Sequence, residues 1–295
     1  MDFKEALLTK TEEIEAIIKS YLPREDGFQK TILEAMNYSI LAGGKRLRPM
    51  LMQETYRMFG GKGEIINPFM VAIEMIHTYS LVHDDLPAMD NDQYRRGKET
   101  TWAKFGEDMG ILCGDALLNY AFETAAQAFS LPEADANTGK AFQILANKAG
   151  IYGMIGGQVV DVQAVGMPLE RKRLDFIYAL KTGALIEASM MVGAVLAGAE
   201  EALVERISQV ALDVGLAFQI QDDILDVTST LEVLGKPIHS DDKNEKTTYV
   251  TLEGLEKAKK DVERISRRAM ESLGSLPCEN PFLLELIEML ITREK

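Results

Sequence analysis

The chain has 295 residues, 46% hydrophobic and 26% charged, with 46 acidic against 32 basic side chains and a net charge of −14. This is a globular balance with ample material for a core, and the acidic excess argues against general nucleic-acid binding, which calls for a basic surface. Two cysteines, Cys113 and Cys278, exclude a disulfide framework or a cysteine zinc site and suit a reducing compartment.

Helical periodicity dominates from the start, where Ile14, Ile17, Ile18, Tyr21 and Leu22 recur at helical spacing. The same N-terminal stretch carries acids throughout and lacks the apolar centre of a signal peptide. Apolar segments rich in Ala, Leu, Met, Glu and Lys follow at about 68–83, 111–129, 141–160, 174–198, 203–227, 252–273 and 281–292, with little strand-like alternation. Breaks are expected at Pro23, Gly60-Gly61, Pro132, Pro168 and Gly235-Lys236-Pro237. No run reaches the roughly 20 uninterrupted apolar residues of a membrane span. The expectation is one all-α domain over residues 1–295, cytoplasmic, with two aspartate-ended apolar helices as facing halves of one cavity.

The first of these ends is "SLVHDDLPAMDND" (80–92), with Asp84, Asp85, Asp90 and Asp92. Carboxylates so close repel unless a cation joins them, and a helix C-terminus disfavours negative charge. A magnesium site, built from one or two carboxylates and substrate phosphates, and a solvated acidic helix end both remain open here. Pro87 disfavours helix at Leu86 and clashes with the His83 carbonyl, so the helix should loosen just after Asp85. On an unbroken helix Asp90 would point roughly 240° from Asp84; the break lets it return. An EF-hand fails, because Arg95 and Thr101 stand where its loop requires Gly and Glu.

The second is "FQIQDDILD" (218–226), where Asp222, Asp223 and Asp226 fall at about 0°, 100° and 40° round a helix. Their apolar neighbours imply burial, and buried carboxylates need a partner or a metal. Cations complement them. "AGGKRLRP" (42–49) offers Lys45, Arg46 and Arg48 behind two glycines, a stretch suited to a diphosphate but not a Walker A loop. "RRGK" (95–98) follows the first aspartates, and "KTG" (181–183), "GKP" (235–237) and "DDKNEKTTY" (241–249) add lysines beside hydroxyls. His77, on the helix before Asp84, is either a phosphate donor or a satisfied core residue.

In order, "GGKRLRP", "HDDLPAMDNDQYRRGK", "GGQVVD", "KTG", "FQIQDDILD", "LGKP" and "DDKNEKTTY" span about residues 28–250. Through them the chain resembles the short-chain trans-prenyltransferases, the farnesyl diphosphate synthase or polyprenyl synthetase family, with the bacterial farnesyl synthases nearest in pattern. The resemblance implies an all-α bundle of about ten or more helices around a deep cavity, usually a homodimer. It implies head-to-tail condensation of isopentenyl diphosphate with an allylic diphosphate such as dimethylallyl or geranyl diphosphate. It places two Mg²⁺ ions on Asp84 and Asp90, with Asp85 nearby, and a third on Asp222, supported by Asp223 and Asp226; Mn²⁺ can substitute. Arg95, Lys181 and Lys236 would hold the allylic diphosphate, and Lys45, Arg48, His77 and Arg96 the isopentenyl diphosphate, with Lys246 a further substrate-binding cation. Thr182 and Gln219 would turn oxygens towards the allylic cation. Tyr79 and Ser80, just before the aspartates, would floor the tail pocket and set a C15 product, with C10 or C20 as alternatives. Two departures from the family pattern stand out: Gln93, where many relatives carry an acid, and His239.

Two other readings compete. A terpene cyclase shares the fold and the magnesium–diphosphate chemistry but has no use for a second diphosphate site. An inactive partner subunit has no need of two intact aspartate clusters.

Overall fold

The computed structural model describes residues 2–228 and 247–292, and these residues build an all-α architecture whose only strands form one short hairpin. The chain divides into two compact units, Met1–Gln53 with Lys62–Phe142, and Glu54–Gly61 with Gln143–Lys295.

The first unit contains α1 (Phe3–Ser20), α2 (Lys30–Ile40), the start of α3 (Leu47–Met58), α4 (Asn67–Asp84), α5 (Thr101–Phe105), α6 (Glu107–Ala126) and the start of α7 (Ala136–Ala149). Asp2 caps α1 by accepting the Lys4 amide, and Pro68 opens α4, where its missing N–H costs nothing. α4 is the axis of this unit. Phe69, Met70, Val71, Ala72, Ile73, Met75 and Ile76 are all 0% exposed, so the helix is apolar nearly all round because α1, α2 and α6 pack about it. Between α4 and α5, β1 (Tyr94–Arg95) pairs antiparallel with β2 (Lys98–Glu99).

The second unit holds α8 (Met154–Gln163), α9 (Arg171–Ile177), a π-helical turn (Tyr178–Gly183), α10 (Ala184–Leu196), α11 (Glu201–Thr228), α12 (Tyr249–Glu253), α13 (Leu255–Gly274) and α14 (Pro281–Thr292). α11 is its axis and packs against α10, α13 and α14. α13 buries one stripe, Ala258, Val262, Ile265, Ala269 and Leu273, and turns its charges outward.

Three expected helices are interrupted. The 141–160 segment is α7 and α8 separated by a turn, 174–198 is α9 and α10 joined through the π turn, and 252–273 is divided at Gly254. α2 and α3 lie outside the expected apolar segments; their buried residues are interspersed with polar ones. Among the described residues one stretch, Arg171–Leu196, is long and apolar enough to cross a membrane by length and composition, but 67% of its most apolar window is buried inside the structure.

Candidate active site

In the first unit α4 ends where Pro87 predicts. Asp85 is its C-cap, and the following loop folds back over the helix end. The Asp90 amide donates to the Asp84 carbonyl at 2.8 Å, and the Asp92 amide to the Asp85 carbonyl at 3.1 Å. The fold-back therefore returns Asp90 to Asp84 and satisfies carbonyls that the broken helix leaves open. Asp90 and Asp92 are exposed and Asp84 is half-buried. Asp85 is 3% exposed and grips Arg95, whose Nη2 and Nε lie 2.6 Å and 2.8 Å from its Oδ1. Burial raises the Asp85 carboxyl above the usual carboxylate range, and Arg95 pulls it part of the way back. Asp85 thus serves Arg95 directly, with Asp92 3.7 Å from the same guanidinium. The carbonyl of Gln93 accepts the Thr100 amide at 2.9 Å, so the residue that departs from the family pattern lies in the backbone frame of the hairpin.

A cationic cluster forms on the same unit. Arg46, Arg48, Arg95 and Arg96 all act on His77, whose pKa burial and these charges hold well below the usual value, so His77 is neutral. Arg48 is lowered by burial and by Arg96, and its Nε is buried without a hydrogen-bond partner. Arg96 donates to the Gly43 carbonyl. Gly44 has φ 146°, a backbone conformation that glycine adopts readily and residues with side chains rarely do, and the Arg96 guanidinium lies against it. Lys45 is exposed. Guanidiniums gathered at one place, with a donor still unmatched, have the chemistry to take an anion. Tyr79 is 5% exposed, edge-on to His83 at 5.9 Å, with its hydroxyl buried and unpartnered. Burial and Asp84 push that hydroxyl up to about 12. The Ser80 hydroxyl donates to the His77 carbonyl at 2.9 Å.

The second unit arranges the other residues around the π turn, a distortion that recurs at functional sites. Lys181 Nζ lies 2.6 Å from Asp161 Oδ2 on α8, and the Thr182 hydroxyl donates to Gln219 Oε1 on α11 at 2.8 Å. The close fit depends on Gly157, where a Cβ would stand 2.3 Å from the Lys181 nitrogen. Asp222 is half-buried on α11, whereas Asp223 and Asp226 are 3% and 4% exposed. Asp223 Oδ2 accepts from the Tyr178 hydroxyl and, at 2.7 Å, from the Tyr249 amide at the start of α12. A cavity of about 130 Å³ is lined by Asp161, Tyr178, Lys181, Thr182, Gln219 and Asp223. Asp161, Tyr178 and the Tyr249 amide were not among the expected site groups. Asp161 closes "GGQVVD" and could have been found there; the Tyr249 amide carries no sequence signal. Lys236, His239 and Lys246 lie outside the described residues.

Among the described residues no group of three His, Cys, Asp or Glu side chains is arranged to hold a metal unaided. The donor set, carboxylate oxygens at two helix positions, fits magnesium, which takes one or two protein carboxylates and fills its shell with water and phosphate oxygen.

Comparison with known proteins bears on the family and the fold. The polyprenyl synthetase family model matches residues 29–275. The chain is 38% identical over 294 residues to farnesyl diphosphate synthase of Geobacillus stearothermophilus, covering 100% of this chain and 99% of that one. It is 44% identical over 268 residues to geranylgeranyl diphosphate synthase of Cyanophora paradoxa, 90% of this chain and 88% of the other. Its fold matches a geranyltransferase of Helicobacter pylori, solved with magnesium and isoprenyl diphosphate, with TM-score 0.83, 32% identity, and 99% and 97% of the two chains covered.

Proposed function

The chain belongs to the polyprenyl synthetase family and is a trans-prenyl diphosphate synthase, and on that premise we propose a magnesium-dependent enzyme that makes a C15 product. It joins isopentenyl diphosphate head-to-tail to dimethylallyl or geranyl diphosphate. The observation that carries this reading is the pairing on α4 of an aspartate end, Asp84 and Asp90, with a separate cationic cluster around neutral His77. One group handles a metal-bound diphosphate and the other a second diphosphate, which a cyclase has no use for.

Asp84, Asp85 and Asp90 in the first unit, and Asp222, Asp223 and Asp226 in the second, are the proposed magnesium residues. Held there, magnesium, or manganese in its place, would supply positive charge to offset that of the departing diphosphate. Arg95, aimed by Asp85, and Lys181, aimed by Asp161, bind allylic diphosphate oxygens and supply preorganised positive charge. Lys45, Arg48, His77 and Arg96 bind isopentenyl diphosphate. The allylic C–O bond breaks, the double bond of isopentenyl diphosphate attacks the cation, and a C–C bond forms. A proton then leaves C2 of the isopentenyl unit to the released diphosphate, so no side-chain base is required. Thr182 and Gln219 direct oxygens at the cation, and apolar walls exclude water. Tyr79 and Ser80 stop the growing tail, and the enzyme works as a cytoplasmic homodimer.

The test is incubation with Mg²⁺, isopentenyl diphosphate and dimethylallyl or geranyl diphosphate, with chain length read by mass spectrometry. Farnesyl diphosphate is expected. Product formed without isopentenyl diphosphate would establish a cyclase, and geranylgeranyl diphosphate would correct the chain length.

A further inference from the structure

One cation of the "GGKRLR" stretch (43–48), which runs from a loop into α3, has no place in the roles above. Arg46 is 2% exposed and sits at φ 49°, a left-handed conformation that a residue with a side chain adopts only where its surroundings enforce it. Its fork is consumed inside the protein. Nε lies 2.5 Å from Glu15 Oε1 on α1, Nη1 lies 2.6 Å from Glu74 Oε1 on α4, and Nη2 donates to the Ile40 carbonyl at the end of α2 at 2.7 Å. One guanidinium therefore ties the loop to three helices.

The neighbours of Arg46 do not anchor themselves. Lys45 is exposed, and Arg48 keeps a buried Nε without a partner. Glu74 stands one turn before His77 on the same face of α4, and its charge also favours the charged forms of Arg48 and Arg96. The anchor of Arg46 is thus built into the helix face that carries His77.

We propose that Arg46 is a positioning residue: held by Glu15 and Glu74, it fixes the backbone that aims Lys45 and Arg48 at the diphosphate of isopentenyl diphosphate. This rests on the substrate reading given under Proposed function.

Lysine keeps the charge of Arg46 but lacks a fork that reaches three acceptors, so Arg46→Lys tests geometry at constant charge. Calorimetric binding of inorganic diphosphate in EDTA should weaken about tenfold in that variant. The KM for isopentenyl diphosphate should rise by a similar factor, while kcat and the KM for geranyl diphosphate stay unchanged. Glu15→Gln removes one negative charge and weakens one anchor. Its field effect alone would tighten diphosphate, whereas lost anchoring weakens it about threefold. If Arg46→Lys does not fold, the sign of the Glu15→Gln effect decides. Equal rises in both KM values, or tighter binding by Glu15→Gln, overturn the positioning role. Failure of the unsubstituted protein to bind metal-free diphosphate would instead overturn the substrate reading beneath it.

Discussion

The Asp90 amide donates to the Asp84 carbonyl across 2.8 Å, so the two carboxylates flank one closed turn although five residues lie between them. The turn exists because Pro87 forbids another helical turn, and it gives Asp84 and Asp90 to one end of α4. If both aspartate clusters hold magnesium, Asp84→Ala and Asp222→Ala should each lower turnover by about 10²-fold or more. Circular dichroism and Tm should stay close to those of the parent, since Asp84 and Asp222 are not among the most deeply buried carboxylates. Near-normal turnover of either variant would sink the magnesium assignment for its cluster.

Tyr79 combines deep burial with a hydroxyl that has no partner, an arrangement that costs about 1–3 kcal/mol. Tyr79→Phe removes the unpaired group and keeps the ring, so it should be at least as stable as the parent and still give C15. Tyr79→Ala should lengthen the product by one or more isoprene units and lower stability through the cavity it leaves. Product length after Tyr79→Ala is the deciding measurement, and an unchanged length would remove Tyr79 as the ruler.

Where chemistry is local, the sequence displays it. Pro87 and its aspartates predict the end of α4, and "GGKRLRP" predicts a cationic loop. The division of labour within a motif is not local. Nothing in "KRLR" distinguishes Arg46, buried against two glutamates, from Arg48 with its unmatched nitrogen, because burial is decided by α1 and α4. Likewise Asp222 and Asp223 are adjacent on α11, yet only Asp223 caps a segment 26 residues on, through the Tyr249 amide. The π turn at Tyr178–Gly183 was hidden for a related reason. It depends on Gly157 in another helix, while its own sequence reads as an ordinary apolar helix.

His77 gives a pH prediction with a definite sign. Its folded pKa lies well below the ordinary histidine value of about 6.5, so below that pH the unfolded chain takes up a proton that the folded chain refuses. The stability contributed by neutral His77 is therefore complete above pH 6.5 and is lost as pH falls towards the folded pKa. Denaturant titrations at pH 7.5 and 5.5 should show a smaller loss for His77→Gln than for the parent. A bound diphosphate reverses the local field and should raise the pKa of His77. Near pH 6 binding should then take up protons, read from calorimetry in buffers of different ionisation enthalpy.

Unfolding tests the single-domain proposal. The chain crosses between the two units three times: inside α3, between Gln53 and Glu54; between Gly61 and Lys62; and inside α7, between Phe142 and Gln143. A helix is cooperative along its length, so neither unit can melt without unravelling part of a helix that continues into the other. Trp102, the sole tryptophan, lies in the first unit, and its indole Nε1 donates to the Asp92 carbonyl at 2.9 Å. Its fluorescence reports that unit and its aspartate loop, whereas far-ultraviolet circular dichroism reports the helices of both. In urea at fixed protein concentration the two signals should trace one coincident transition. Fluorescence that changes at a distinctly different urea concentration from the ellipticity would mean that the units unfold separately, and the chain would then count as two domains.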